Sequence, residues 1–149
     1  SQEDMPGGEL LSLVLNSLYA LSKLDEPLDK IKAVFELRCA ALAGYTPDLS
    51  GCNHCGSETP HFLDISQGIL ECRTCRDPAS DGIRIPVNES LLAAMRYICL
   101  CHPKKLFSFQ AGEETLTLLS QLTESYLCAQ LERGFSALDF YKSLLVISP

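Results

Sequence analysis

Cys52-Asn53-His54-Cys55 and Cys72-Arg73-Thr74-Cys75 are two Cys-x-x-Cys knuckles with sixteen residues between them. A two-residue spacer lets both sulfurs of one turn converge on a single ion. Two such turns supply the four thiolates of a tetrahedral zinc site. Gly51 and Gly56 flank the first knuckle, and Thr74 sits inside the second. Between them, Phe62-Leu63-Asp64-Ile65 and Gly68-Ile69-Leu70 read as two short strands joined at Ser66-Gln67. The spacing predicts a zinc ribbon over residues 51–86, with structural Zn2+ on Cys52, Cys55, Cys72 and Cys75.

Other chemistries fit the same residues less well. Paired disulfides belong to exported chains, and no charged stretch followed by an apolar run marks export here. A redox motif places one Cys-x-x-Cys at the start of a helix after a strand, whereas these two lie in a Gly/Pro-rich segment. Catalytic zinc keeps a position open for water, and four thiolates close it. His54 and His61 are nearby alternative ligands, though four sulfurs already suffice. A segment this small rarely builds an adequate core below ~40 residues. Structural zinc contributes on the order of 10–16 kcal/mol in such modules, so the metal is expected to hold the ribbon together.

On both sides of the ribbon the pattern is helical. Leu10, Leu11, Val14, Leu18 and Leu21 recur at three- and four-residue steps, and Leu15 and Tyr19 widen the stripe. This predicts a helix from Gly8 to Lys23 buried on more than one side. Asp25 is the expected N-cap of a second helix carrying Leu28, Ile31, Val34, Phe35, Leu37 and Leu42, with Gly44 as its left-handed stop. Asn88 caps a third through Leu91, Leu92, Met95, Ile98 and Cys99, which His102-Pro103 ends. A fourth is expected from Gly112 to a stop at Gly134, and a fifth capped by Ser136. The predicted fold is therefore mainly α, with a helical domain (1–50 and 87–149) and an inserted four-cysteine ribbon of short β-hairpins (51–86). Cys39, Cys99, Cys101 and Cys128 fall in helical patterns and read as small buried hydrophobes.

Of the 149 residues, 46% are hydrophobic and 21% charged, which suits a folded chain. No apolar run approaches the ~20 residues of a membrane span, and eight cysteines without an export signal point to a reducing cytoplasm. The formal charge is −7, whereas nucleic-acid binding draws on clustered Lys and Arg. Ser66, Ser108 and Ser136 have turn or cap explanations, and no Gly-rich string matches a phosphate loop. No catalytic site is expected. The chain opens Ser1-Gln-Glu-Asp-Met5 without an initiator methionine, as a piece of a longer protein does.

Phe35-Glu-Leu-Arg38, Ala43-Gly-Tyr45-Thr-Pro47-Asp-Leu49 and Cys52-Asn-His-Cys55-Gly56 together resemble the bacterial recombination mediator family RecO. The second knuckle, the Ile85-Pro-Val-Asn-Glu-Ser-Leu91 segment and Leu131-Glu-Arg-Gly-Phe-Ser136-Ala-Leu-Asp-Phe140 continue the likeness. Two departures stand out. The N-terminal oligonucleotide-binding barrel of the family is absent, and Phe135 stands where the family approaches Ser136 with a leucine and a lysine. The resemblance implies DNA repair and recombination near the bacterial nucleoid. It implies binding of single-stranded DNA-binding protein through its acidic tail, cooperation with RecR and indirect help in loading RecA. Single-stranded DNA would be held mainly by the absent barrel.

An acidic, apolar-ended tail needs a greasy groove rimmed by cations. Arg96, Lys104, Lys105 and Phe107, with Phe109 beside them, are the candidate surface. The alternative is direct nucleic-acid binding by the ribbon through Arg73, Arg76 and Arg84. Glu58, Asp64, Glu71, Asp77 and Asp81 outnumber those arginines, which weighs against it. Glu36 is expected to pair with Lys32 one turn back, and Arg38 to reach a helix end or the ribbon.

Overall fold

Period-3.6 and period-2 patterns alternate along the chain, and the backbone follows them. A computed structural model describes residues 7–147. The elements in order are α1 (Gly8–Lys23), α2 (Leu28–Leu42), β1 (Asp48–Cys52), β2 (Phe62–Asp64), β3 (Ile69–Glu71), β4 (Arg84–Pro86), α3 (Glu89–Leu100), a 3-10 turn (Pro103–Lys105) and α4 (Glu113–Ile147). The mainly helical fold with a small sheet around the cysteines is as the sequence predicts.

The α2 helix is central. It buries Ile31, Ala33, Val34, Leu37 and Ala40 and packs on α1, α3 and α4. Its start is not capped by Asp25. Pro27 occupies the cap position with φ −58°, and no side chain accepts a hydrogen bond there. Proline presets the entry, and its carbonyl accepts the Lys30 and Ile31 N–H groups at 3.1 and 3.2 Å. The helix closes as expected, with Gly44 at φ 92° and the Tyr45 N–H donating to the Ala40 carbonyl at 2.8 Å. At its other end Lys30 is 2% exposed, yet its ammonium is satisfied by Glu26 (2.8 Å) and the Phe109 carbonyl (2.6 Å). Lys32 binds Glu36 at 2.7 Å, and Thr123 of α4 donates to the same carboxylate at 3.0 Å. Arg38 donates to the Ile98 carbonyl near the end of α3 (3.3 Å). Both pairings match the reading of the sequence.

The Asn88 carboxamide accepts the Leu91 N–H at 2.8 Å, so α3 starts where its cap requires. Two helices differ from expectation. In α1 only Leu13, Ser17 and Ala20 are buried among the described residues, because α2 is the neighbour that chiefly covers it. Leu10, Leu11, Leu15, Leu18, Tyr19 and Leu21 remain exposed. Helix α4 runs unbroken for 35 residues, through Gly134 and Ser136. A mid-helix glycine costs only about 1 kcal/mol, less than forfeiting the helical hydrogen bonds around it. Gly134 does not adopt positive φ, so it makes no left-handed stop. From Leu131 to Val146 no α4 side chain is buried.

The four strands lie in the order β1-β3-β2-β4. The expected β2–β3 hairpin forms, with Leu63 opposite Leu70 and Asp64 opposite Ile69. Two strands were not expected: β1 joins parallel to β3, and β4 antiparallel to β2. Leu63 and Leu70 face inward and share one core with Leu37, Met95, Ile98, Leu119 and Leu122. Three side chains spaced along α4 grip the hairpin and its approach by their carbonyls. Tyr126 donates to Tyr45 (2.6 Å), Gln130 to Ile65 (2.7 Å) and Arg133 to Ser66 (2.7 Å).

Candidate metal centre and its surroundings

β1 delivers Cys52 at its last residue, and the chain then turns back through Cys55. β3 delivers Cys72 one residue past its end, and a second turn brings Cys75 alongside. At Gly51 the backbone comes so close to the first turn that an added Cβ would sit 3.0 Å from the Ser57 carbonyl. The four sulfurs lie within 4.8 Å of one another, and Cys55 and Cys72 are 3.7 Å apart. A Zn–S bond of about 2.3 Å in tetrahedral geometry sets sulfurs roughly 3.8 Å apart. The four cysteines can therefore hold one metal ion, and all of them are free thiols.

Electrostatics prepare the site unevenly. Burial opposes ionisation of Cys52, but the backbone N–H groups of Cys55, His54 and Cys72 outweigh it and bring the thiol down to about 6. Hydrogen bonding to Cys55, with burial behind it, pushes Cys75 up to about 12. Burial, followed by the Cys55 and Cys52 sulfurs, raises Cys72. One thiolate thus forms readily, and a cation supplies the charge that the others need. Neither histidine takes a sulfur's place. His61 accepts the Arg73 N–H on Nδ1 at 3.0 Å, and His54 Nε2 meets Glu71 at 3.2 Å.

Behind the knuckles, the strand face opposite the core carries a buried charge cluster that sequence reading missed. Arg84 Nε donates to Glu71 at 3.0 Å, and Arg84 Nη2 lies 4.0 Å from Asp64, with all three side chains 1–3% exposed. Arg84 Nη1 also donates to the Ser80 (3.2 Å) and Gly82 (2.9 Å) carbonyls, folding the loop after the second knuckle onto the sheet. Asp64 Oδ1 accepts the N–H groups of Ser66 and Gln67, while its Oδ2 has no hydrogen-bond donor among the described residues. Arg84 is thus committed to structure and unavailable as a phosphate contact. Asp64 and Glu71, weighed above as surface acids, are internal. The signal was readable: Phe62-Leu63-Asp64, Ile69-Leu70-Glu71 and Arg84-Ile85-Pro86 each centre on an apolar residue, so the flanking charges share the other face.

The candidate partner residues occupy two places. Arg96 turns towards the ribbon, donating from Nε to the Leu49 carbonyl at 2.8 Å. It lines a cleft of about 450 Å3 with Glu58, Pro60, Glu89 and Leu92. Lys104 and Lys105 are exposed on the 3-10 turn, and Phe107 is half-buried beyond them. Of the remaining cysteines, Cys39, Cys99 and Cys101 are half-buried, Cys101 just past the end of α3, and burial pushes Cys99 up to about 11. Cys128 is exposed, contrary to expectation, because α4 turns its 122–126–130 face to the core. No helix among the described residues is long and apolar enough to cross a membrane.

Comparison with known proteins places these features. The family model described as "Recombination protein O C terminal" matches residues 1–139. A DNA repair protein RecO from Acetivibrio thermocellus is 36% identical over 95% of this chain and 57% of its own length. The Rubrobacter xylanophilus protein of that name is 33% identical over 74% of the chain and 46% of its own length. The Bacillus subtilis protein is 27% identical over 85% and 49%. The chain spans about half the length of the curated relatives it matches.

Proposed function

The chain belongs to the family of recombination protein O C-terminal regions, and from that membership we propose that it is a non-catalytic protein-interaction unit of a recombination mediator in DNA repair. The observation that carries this reading is the family match over residues 1–139. The four-cysteine cluster supports a structural role for the metal. Four sulfurs complete a tetrahedral shell, and we assign the ion as zinc on that donor set. The ribbon, residues 51–86, is read as an insertion in the helical body, and the compartment as the bacterial cytoplasm.

The partner proposed for this surface is the acidic tail of single-stranded DNA-binding protein, with RecR as a second partner and RecA served indirectly. The exposed Lys104 and Lys105 supply cations, Phe107 apolar surface, and Arg96 a guanidinium on the ribbon side. A pull-down of the metal-loaded chain with single-stranded DNA-binding protein, with and without its tail, tests the reading. Capture that requires the tail and weakens in a Lys104→Glu/Lys105→Glu variant is the expected result. Capture indifferent to the tail, or no capture, overturns it.

A further inference from the structure

We propose that the corner of the ribbon around Phe62 is a contact site for single-stranded nucleic acid, with Phe62 stacking an unpaired base while Arg73 and Arg76 hold adjoining phosphates. Leu63 faces the core, so Phe62 points to the opposite side of the sheet, where it is half-buried beside Pro86. The guanidinium carbons of Arg76 and Arg73 lie over its ring, 5.7 and 6.0 Å from the centroid. The His61 ring, fixed by the Arg73 N–H, lies 6.5 Å away at an angle of 50°. One small area thus gathers two aromatic rings and two exposed arginines from β2 and the second knuckle.

The charge count around this corner differs from that of the sequence. Glu71, register-paired with Phe62, is taken up by Arg84 and His54. Asp64 lies at the hairpin end of the strand, 1% exposed, with Arg84 beside it and the Ser66 and Gln67 amides on its oxygen. Asp77 and Asp81 remain exposed in the loop after the second knuckle, where Asp77 accepts the Ala79 N–H, and Glu58 lines the cleft beside Arg96. Arg73 and Arg76 make no ion pair among the described residues. Two cations alone would suit any anion. When the two exposed arginines swing from the ring to phosphates, the half-buried ring and the imidazole next to it present flat π-surfaces, which a nucleobase uses and a carboxylate-rich peptide leaves unmatched.

The site goes beyond the tail-binding role and is tested separately from it, on different residues. Anisotropy of a labelled oligo(dT) of about 12 nucleotides, within the span of known single-strand sites, reads binding to the metal-loaded chain. Two phosphate contacts predict that Arg73→Ala/Arg76→Ala flattens the log–log salt dependence by about 1.4. Phe62→Leu is expected to weaken binding roughly tenfold, and Phe62→Tyr, which keeps a stacking face, to restore it. Metal content and helical circular dichroism identify a leucine variant that has failed to fold. The arginine variant changes only exposed side chains and decides the matter by itself. Absence of oligo(dT) binding, equal affinity in the arginine variant, or equal affinity for a duplex overturns the proposal. So does displacement of the oligonucleotide by an Asp-rich peptide at equal concentration.

Discussion

Replacing Arg84 with methionine tests whether the buried charge cluster holds the ribbon. Methionine keeps most of the stem volume but removes the guanidinium, leaving Glu71 and Asp64 charged in a site where each is at most 3% exposed. Breaking a buried pair from one side costs about 3–5 kcal/mol. The Ser80 and Gly82 carbonyls lose their donor as well, but they sit on a loop that water reaches. A loss near 4 kcal/mol is a large part of the ~5–15 kcal/mol that stabilises a domain. It corresponds to a drop of about 8–16 °C in Tm. The assay is thermal and urea unfolding of metal-loaded wild type, Arg84→Met and Arg84→Met/Glu71→Gln. Neutralising Glu71 is expected to recover more than half of the loss, since the penalty belongs to the stranded carboxylate. The sign with pH follows. Burial pushes the Glu71 carboxyl up, and Arg84 and then His54 outweigh it, so it lies below the usual carboxylate range. Its contribution is full above about pH 4.3 and is lost as pH falls through the lowered value. The gap between wild type and Arg84→Met therefore narrows on acidification. A single variant within about 1 kcal/mol of wild type, with no recovery in the double variant, refutes the reasoning.

Three further outcomes are expected. Gly134→Ala should raise the helical signal and slow amide exchange over residues 131–140, adding about 0.5–1 kcal/mol locally. The nearest atom to the new Cβ is the Tyr45 hydroxyl at 3.5 Å, so space is available; a loss of helix instead would mean that Gly134 stops α4. Gly68→Ala should cost about 2 kcal/mol or more, since Gly68 has φ 68° and a Cβ would come 2.9 Å from the Tyr126 hydroxyl. Tyr126→Phe, losing only the bond to Tyr45, should cost about 1 kcal/mol in urea unfolding, and equal losses in the two variants would contradict the steric argument. Metal uptake near pH 7.5 should release at least two protons per ion, from the raised Cys72 and Cys75 thiols. Apparent affinity should rise with pH and fall most steeply below about 6, where Cys52 also protonates; uptake without proton release in weakly buffered indicator dye would exclude a thiolate shell.

What was legible in the sequence is what neighbouring residues decide. Two Cys-x-x-Cys turns specify the sulfur cluster, the Asn88 cap fixes the start of α3, and Gly44 ends α2. Lys32 and Glu36 meet because four residues make one helical turn. Pairings between distant segments left weaker traces. Arg84 and Glu71 are joined only once β2 stands between their strands, so two internal charges were counted as surface ones. Burial of Lys30 has no local signal, because the Phe109 carbonyl that receives its ammonium is 79 residues away. At Gly134 a correct local signal was outweighed by the continuity of the helix on either side. The apolar stripe of α1 was recognised, but periodicity counts greasy positions and says nothing of how many neighbours will cover them.

The grip of α4 on the hairpin and its approach has a consequence for sequence freedom. Tyr126, Gln130 and Arg133 bind the carbonyls of residues 45, 65 and 66, groups that every amino acid carries. The clamp recognises the path of the main chain and is blind to the side chains along it. Gly68 is the exception, since its bare Cα makes room for the tyrosine hydroxyl. A metal hairpin with rewritten exposed side chains, retaining that glycine, the inward Leu63 and Leu70 and the buried Asp64–Glu71–Arg84 cluster, can therefore be grafted onto the same helix. The surface offered to partners is thereby free to diverge while the scaffold beneath it is unchanged.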